Sequence, residues 1–266
     1  MNELQVPEGQ LTFDAEGNDD PNSPWYSRRA HVPGGVSGVT LGRGYDLGNF
    51  SQKFVEAGLE KAGIDPGPWR GAFGLKGQEA ANWLKVNKPG LPEITRAQQR
   101  ELFIMTYAGL KADVVRISNK ADVLQVYGAT NFDTLDRRIL DIVVDLRYRG
   151  DYSGATRKRV QPCMVRNDVA GMAEVIRDRE FWRNVPEDRF RRRVDFIESG
   201  SAPQAMPVQA AARQPRKHVV EPGESLDKLS ARFQVSIDAI VNANRDKLKT
   251  WGSVQGFNAG EEIQIP

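Results

Sequence analysis

The densest group of residues able to do chemistry is Gly38-Val39-Thr40-Leu41-Gly42-Arg43-Gly44-Tyr45-Asp46-Leu47-Gly48, which follows Glu16-Gly17 along the chain. Glycines at 42, 44 and 48 let a backbone approach a ligand or take positive φ, while Thr40 and Asp46 present a hydroxyl and a carboxylate from one short turn. Such a pair on a preorganised hairpin suits the positioning of a water molecule. The matching reaction is glycoside hydrolysis, in which one carboxyl gives a proton to the leaving oxygen and a second, ionised, orients or activates water. Glu16 stands beside the apolar Phe13 and Ala15, so its pKa is expected to be raised, whereas Asp46, among glycines, is expected to stay ionised. With 35 Asp plus Glu in the chain, the same residues would equally serve as a helix-terminal surface acid and a Gly-rich turn.

Other constellations are weaker. The glycines at 42, 44 and 48 lack the spacing of a dinucleotide fingerprint, and no GKS or GKT sequence makes a phosphate loop. Cys163 is the single cysteine and His31 and His218 the only histidines, which argues against a disulfide framework, a structural zinc site or any metal. Cys163, after Pro162 in an apolar stretch, reads as a core filler rather than a thiol nucleophile. Trp25, Tyr26, Trp69 and Trp83 would either line a sugar cleft by stacking on pyranose faces or fill the core. No organic cofactor is implied.

The elements that must hold these residues are mostly helical. Thr95-Arg96-Ala97-Gln98 is a capping box ahead of Leu102, Phe103, Leu110, Val114 and Ile117, and so predicts a long amphipathic helix from Thr95. A second helix is predicted over Leu135 to Tyr148, apolar enough to be central. Others are expected over 51–62, capped by Ser51, and over 77–86, 168–182 and 186–198. Only residues 31–48 read as a small β-hairpin. The class is therefore α+β, predominantly helical.

A composition break at 199–216, SGSAPQAMPVQAAARQPR, has five Ala, three Pro and no acid, and shows neither strand nor helix period. The expected organisation is a domain over 1–198, a linker over 199–216 and a small domain over 217–266. The last reads as strand, helix, helix, strand: His218 to Val220, helices capped by Ser225 and Ser236, and Glu262 to Ile265.

Composition excludes several classes. Hydrophobic residues at 39%, charged residues at 27% and a mean hydropathy of −0.52 fit a soluble globular chain. A net charge of +2 is too balanced for a dedicated nucleic-acid binder. Residues 147–198 are locally basic, with 13 basic against 9 acidic side chains including Arg157, Lys158, Arg159, Arg191, Arg192 and Arg193, as a solvated face or an attraction to an anionic polymer. No run reaches the roughly 18 to 20 apolar residues of a spanning helix. MNELQVPEGQLTF carries neither a basic n-region nor an apolar h-region, so no Sec signal peptide is expected.

The stretch from Phe13 to Gly48, FDAEGNDDPNSPWYSRRAHVPGGVSGVTLGRGYDLG, resembles the catalytic segment of pesticin-type muramidases, relatives of the phage lysozymes. The stretch from Asp141 through REFWRNVPEDRFRRRVDFIESG resembles the closing helices of that fold. The resemblance implies a lysozyme-like domain in which Glu16 is the general acid, Thr40 helps hold the catalytic water and Asp46 is the second carboxylate, with Asp19 and Asp20 competing for that last role. It implies direct attack and an inverted product. Val219 to Leu226, then Leu229, Phe233, Ile240, Asn242, Asn244 and Ile263 to Pro266, are similar to a LysM domain of βααβ form. The resemblance places N-acetylglucosamine chains between Gly223, Glu224, Ser225 and Leu226 and Asn244, Arg245, Asp246 and Lys247. Together the two resemblances imply a monomeric N-acetylmuramidase acting on peptidoglycan glycan strands in the periplasm or wall of a target or host bacterium. The expected settings are an injected antibacterial effector, with a cognate immunity protein, or a phage endolysin. The rivals are an inactive wall-binding protein and a lytic transglycosylase.

Overall fold

A computed structural model of the chain describes residues 3–199 and, further on, 216–221, 224, 226, 229, 232, 240, 243, 244, 247, 249–251, 254–258 and 260–265. The chain divides into two compact units, Met1–Met206 and Pro207–Pro266.

Unit 1 is α+β and largely helical. It contains α1 (Gln10–Ala15), the two-residue strands β1 (Thr40–Leu41) and β2 (Tyr45–Asp46), α2 (Gln52–Lys61), α3 (Gly77–Asn87), α4 (Arg96–Ser118), α5 (Ala121–Tyr127), α6 (Arg137–Arg149), α7 (Gly154–Arg166), α8 (Val169–Arg177) and α9 (Glu187–Glu198). Short 3-10 turns cover Gly67–Ala72 and Lys88–Gly90. The capping chemistry acts as expected at two of these starts. Ser51 Oγ accepts from Phe54 N at α2, and Thr95 and Gln98 form the reciprocal capping box that starts α4.

Two hydrophobic clusters organise the unit. Val39, Leu41, Tyr45 and Leu47 of the hairpin region pack with Val55, Leu59, Trp69, Ala80, Leu84 and Leu102. Phe13, Phe103, Tyr107, Val114, Ile139, Val143, Val160, Met172, Trp182 and Ile197 form the other. The 23-residue α4, about 34 Å long at 1.5 Å per residue, joins them. Its Leu102 enters the first cluster and the next residue, Phe103, enters the second. The central α6 buries every side chain from Ile139 to Leu146, two acids included.

Several sequence expectations need adjusting. The helix predicted over 168–182 stops at Arg177, because Asp178 Oδ1 accepts from Phe181 N and starts a turn that seats Trp182, whose Nε1 donates to Val175 O. Three helices escape the periodicity reading: α1 and α5 are only six and seven residues long, and α7 contains Pro162. Cys163 is buried within α7.

In unit 2, β3 (Arg216–Val219) pairs antiparallel with β6 (Glu262–Ile265), around a core of Val220, Leu226, Leu229, Ile240, Phe257, Ile263 and Ile265. An additional hairpin, β4 (Lys249–Trp251) with β5 (Val254–Gly256), occupies a stretch with no predicted strand. The predicted helices capped by Ser225 and Ser236 fall largely outside the described residues. Among the described residues no helix is long and apolar enough to cross a membrane.

Candidate active site

Glu16 is the C-cap of α1, a helix fixed by burial of Leu11, Thr12 and Phe13. Gly9 starts that helix at φ +74°, where any Cβ would collide with the Tyr107 ring. Thr12 Oγ1 donates to Asp145 Oδ1 at 2.9 Å, tying α1 to α6. The Glu16 side chain therefore emerges at a set point with 25% of its surface open to solvent.

The partner that the sequence reading missed is Arg189 of α9. Its Nη1 donates to Glu16 Oε1 at 2.8 Å, while Nε and Nη2 grip Asp145 at 3.2 and 2.5 Å. One turn later Arg193 Nε donates to Asp145 Oδ2 at 2.7 Å, and its Nη2 lies 2.9 Å from Asp151 Oδ2. Asp145 is fully buried, so its two arginines and Thr12 satisfy a charge that would otherwise be costly. Burial raises the Glu16 carboxyl above its usual range against the opposing charge and hydrogen bond of Arg189, with Asp145 adding to the rise and Arg149 countering it. A partly desolvated carboxyl of this kind can hold a proton at higher pH than a surface glutamate can.

The hairpin places Thr40 and Asp46 directly across from each other, in register with the Leu41 and Tyr45 pair. The six-residue spacing in the sequence is thus one cross-strand step. Thr40 also exchanges both backbone hydrogen bonds with His31, at 3.1 and 2.8 Å. Gly38 must lack a side chain, because a Cβ there would come within 2.5 Å of Asp46 Oδ1 and Gly48 N. The Asp46 carboxylate accepts from Gly38 N, from Gly48 N at 2.7 Å and from Asn49 Nδ2 at 2.6 Å. Thr40 is buried and its Oγ1 donates to Gly38 O at 3.3 Å. Both predicted water-positioning groups therefore also brace the loop that presents them.

Arg43, between Gly42 and Gly44, docks the turn of this hairpin onto α1. Its guanidinium donates to Phe13 O and lies 3.7 Å from the Phe13 ring centroid, while Tyr148 of α6 donates its hydroxyl to Arg43 O. Gly44, at φ +97°, is required because a Cβ would strike that Tyr148 hydroxyl. Hairpin and acid are thereby fixed to the same α1–α6 frame.

The competing acids are employed elsewhere. Asp19, only 9% exposed, is paired with Arg28 Nε at 3.1 Å and Arg96 Nε at 2.5 Å, which fastens its loop to the start of α4. Asp20 caps a local turn by accepting from Asn22 N at 3.0 Å. Of the four aromatics, Trp69 and Tyr26 are buried and Trp83 packs on the first cluster, while Trp25 is 74% exposed. No group of three or more His, Cys, Asp or Glu among the described residues is arranged to hold a metal ion.

In unit 2, the expected sugar contacts fare unevenly. Gly223, Ser225, Arg245 and Asp246 lie outside the described residues. Asn244 corrects the expectation: it is buried, donating to Ile240 O and Gln264 O and accepting from Gln264 N, each at 2.7 Å, so it bolts a helix end to β6. Leu226 likewise belongs to the core. Lys247 Nζ donates to Glu262 O at 2.7 Å. Glu224 accepts from His218 Nε2, Glu221 N and Arg232 Nη1 at 2.7, 2.9 and 2.8 Å. Burial opposes its ionisation, but those donors hold its carboxyl down at about 2.

A family model described as a domain of unknown function, DUF8812, matches residues 9–194, and a LysM domain model matches residues 218–251. The chain belongs to the DUF8812 family. No curated protein matches it. The DUF8812 match spans Glu16, the hairpin and Arg189, and its description assigns no activity. The LysM domain supplies a peptidoglycan-binding module.

Proposed function

We propose that this protein is a peptidoglycan hydrolase of the N-acetylmuramidase type, cleaving the β-1,4 bond between N-acetylmuramic acid and N-acetylglucosamine. The observation that carries the reading is Glu16, a carboxyl raised by burial yet open to solvent, fixed at a helix end and held by Arg189. In this reading protonated Glu16 delivers its proton to the leaving glycosidic oxygen, and Asp46 with Thr40 positions the attacking water. Arg189 and the Asp145 charge behind it set the acidity of Glu16 and its orientation. Support for the substrate comes from the attached LysM domain, since a wall-binding module raises the local concentration of the hydrolase at an insoluble polymer. The setting we propose is the periplasm or wall of a target or host bacterium.

A second reading has its own observation. The Asp46 carboxylate accepts several local hydrogen bonds, so it can act as a structural brace, leaving Glu16 as the one reacting acid, as in a lytic transglycosylase. Mass spectrometry of fragments released from purified peptidoglycan separates the two. Reducible muropeptides from the parent, lost in Glu16→Gln and in Asp46→Asn, are the result expected of the muramidase. Anhydro ends that persist in Asp46→Asn would establish the transglycosylase, and release unaffected by Glu16→Gln would remove Glu16 from the chemistry.

A further inference from the structure

Phe and Trp rings are ordinarily withdrawn from water, and among the described residues only three are exposed: Trp25 at 74%, Phe54 at 54% and Phe50 at 44%. Trp25 is connected through its backbone to Gly17, the residue after Glu16, and Phe50 follows Asn49, a hydrogen-bond partner of Asp46. Trp25 sits on a loop braced across its base. Asn18 N donates to Trp25 O, Ser27 N donates to Asn18 O, and Ser23 Oγ accepts from both Trp25 N and Asn18 Nδ2. The Trp25 carbonyl lies so near Gly17, the residue after Glu16, that a Cβ on Gly17 would sit 3.1 Å from it. The exposed indole is therefore carried by an ordered backbone whose carbonyl packs against Gly17, the residue after the acid. On the other side, Asn49 donates to Asp46 Oδ2, and the next residue, Phe50, pairs with Phe54 in the first turn of α2, with ring centroids 4.9 Å apart.

We propose that Trp25 and the Phe50–Phe54 pair are carbohydrate-stacking platforms, taking pyranose faces of a glycan strand on the Glu16 side and the Asp46 side of the site. The inference rests on the reading of unit 1 as a glycan-cleaving domain. A pyranose ring offers a flat array of C–H groups to an aromatic face, and a long polymer spanning the site needs an uncharged surface beyond each reacting group. Separate rings, one connected to the Glu16 segment and one to the Asp46 segment, suit successive sugars. The braced Trp25 loop also loses little freedom on binding, which favours affinity. Neither platform belongs to the LysM domain, so unit 1 would hold glycan by itself.

The test uses the full chain and soluble glycan strands freed of stem peptides. Trp25→Ala and the double variant Phe50→Ala/Phe54→Ala are each expected to raise KM roughly tenfold with kcat little changed, and Trp25→Phe to restore most of the loss. Exposed rings contribute little to the fold, so thermal unfolding of each variant should match the parent. The same strands titrated into Glu16→Gln should quench tryptophan emission, and the quench should shrink in Glu16→Gln/Trp25→Ala. Unchanged KM and an unchanged quench in the variants would overturn the platforms. If no variant or parent cleaves the strands while the Trp25-dependent quench persists, the hydrolase reading fails and the stacking surface stands.

Discussion

Glu16 is set between opposing influences, and Arg189 is the adjustable one. If Glu16 is the general acid proposed for it, it works only while protonated, so activity should fall as pH rises through its pKa. Arg189→Gln removes the cation that lowers this pKa, and the alkaline limb of the pH–rate profile is expected to move to higher pH. The same substitution takes one of two arginines from the buried Asp145, so chemical denaturation should show a loss of about 3 kcal/mol. Glu16, Thr40 and Asp46 stood out in the sequence as candidates because glycines frame the hairpin and apolar residues flank the acid. Arg189 was not, because it lies in an arginine-rich helix where nothing local separates a solvated arginine from one that reaches across the fold. Asp145 did leave a trace: it is an acid between the apolar run Ile142-Val143-Val144 and Leu146, a place where an unpaired charge would not survive.

At the scale of elements, the long helices could be read from caps and period, and the short or irregular ones could not. α7 forms despite Pro162, whose ring nitrogen has no proton for the carbonyl one turn earlier. Burial of Val160, Cys163 and Met164 outweighs that defect. Pro162→Ala is therefore expected to stabilise unit 1 by about 1–3 kcal/mol, measured as an upward shift of its melting temperature. In unit 2, the ionised Glu224 links β3 to Arg232 through His218 and the Glu221 amide. Because its folded pKa is held down at about 2, its stabilisation is complete above the unfolded value of 4.5 and is lost as pH falls from there towards 2. Acid titration of unit 2 should show that loss, and Glu224→Gln should flatten it.

For the molecule as a whole, the proposed function has unit 1 carry out the reaction while the LysM unit supplies residence at the wall. Removal of residues 199–266 should leave turnover of soluble glycan fragments unchanged and lower turnover of intact sacculi by roughly ten- to a hundredfold, read by dye release from labelled walls. The composition break at 199–216 and the apolar pattern beyond it made this two-part organisation visible from the sequence. The link between the two hydrophobic clusters of unit 1 was hidden, since it depends on adjacent residues of α4, Leu102 and Phe103, facing different cores.

The contact between Glu16 and Arg189 spans 173 positions, nearly the whole of unit 1. During synthesis the acid, the hairpin and Asp145 leave the ribosome well before Arg189 and Arg193 of α9. Until that last helix emerges, Asp145 has neither arginine to accompany it into the core, and Glu16 lacks its Arg189 partner. A nascent chain thus lacks the Glu16–Arg189 contact until its last helix is made. Products cut short before Arg189 should be recognised by quality-control proteases as incompletely packed, and should not accumulate beside the finished molecule.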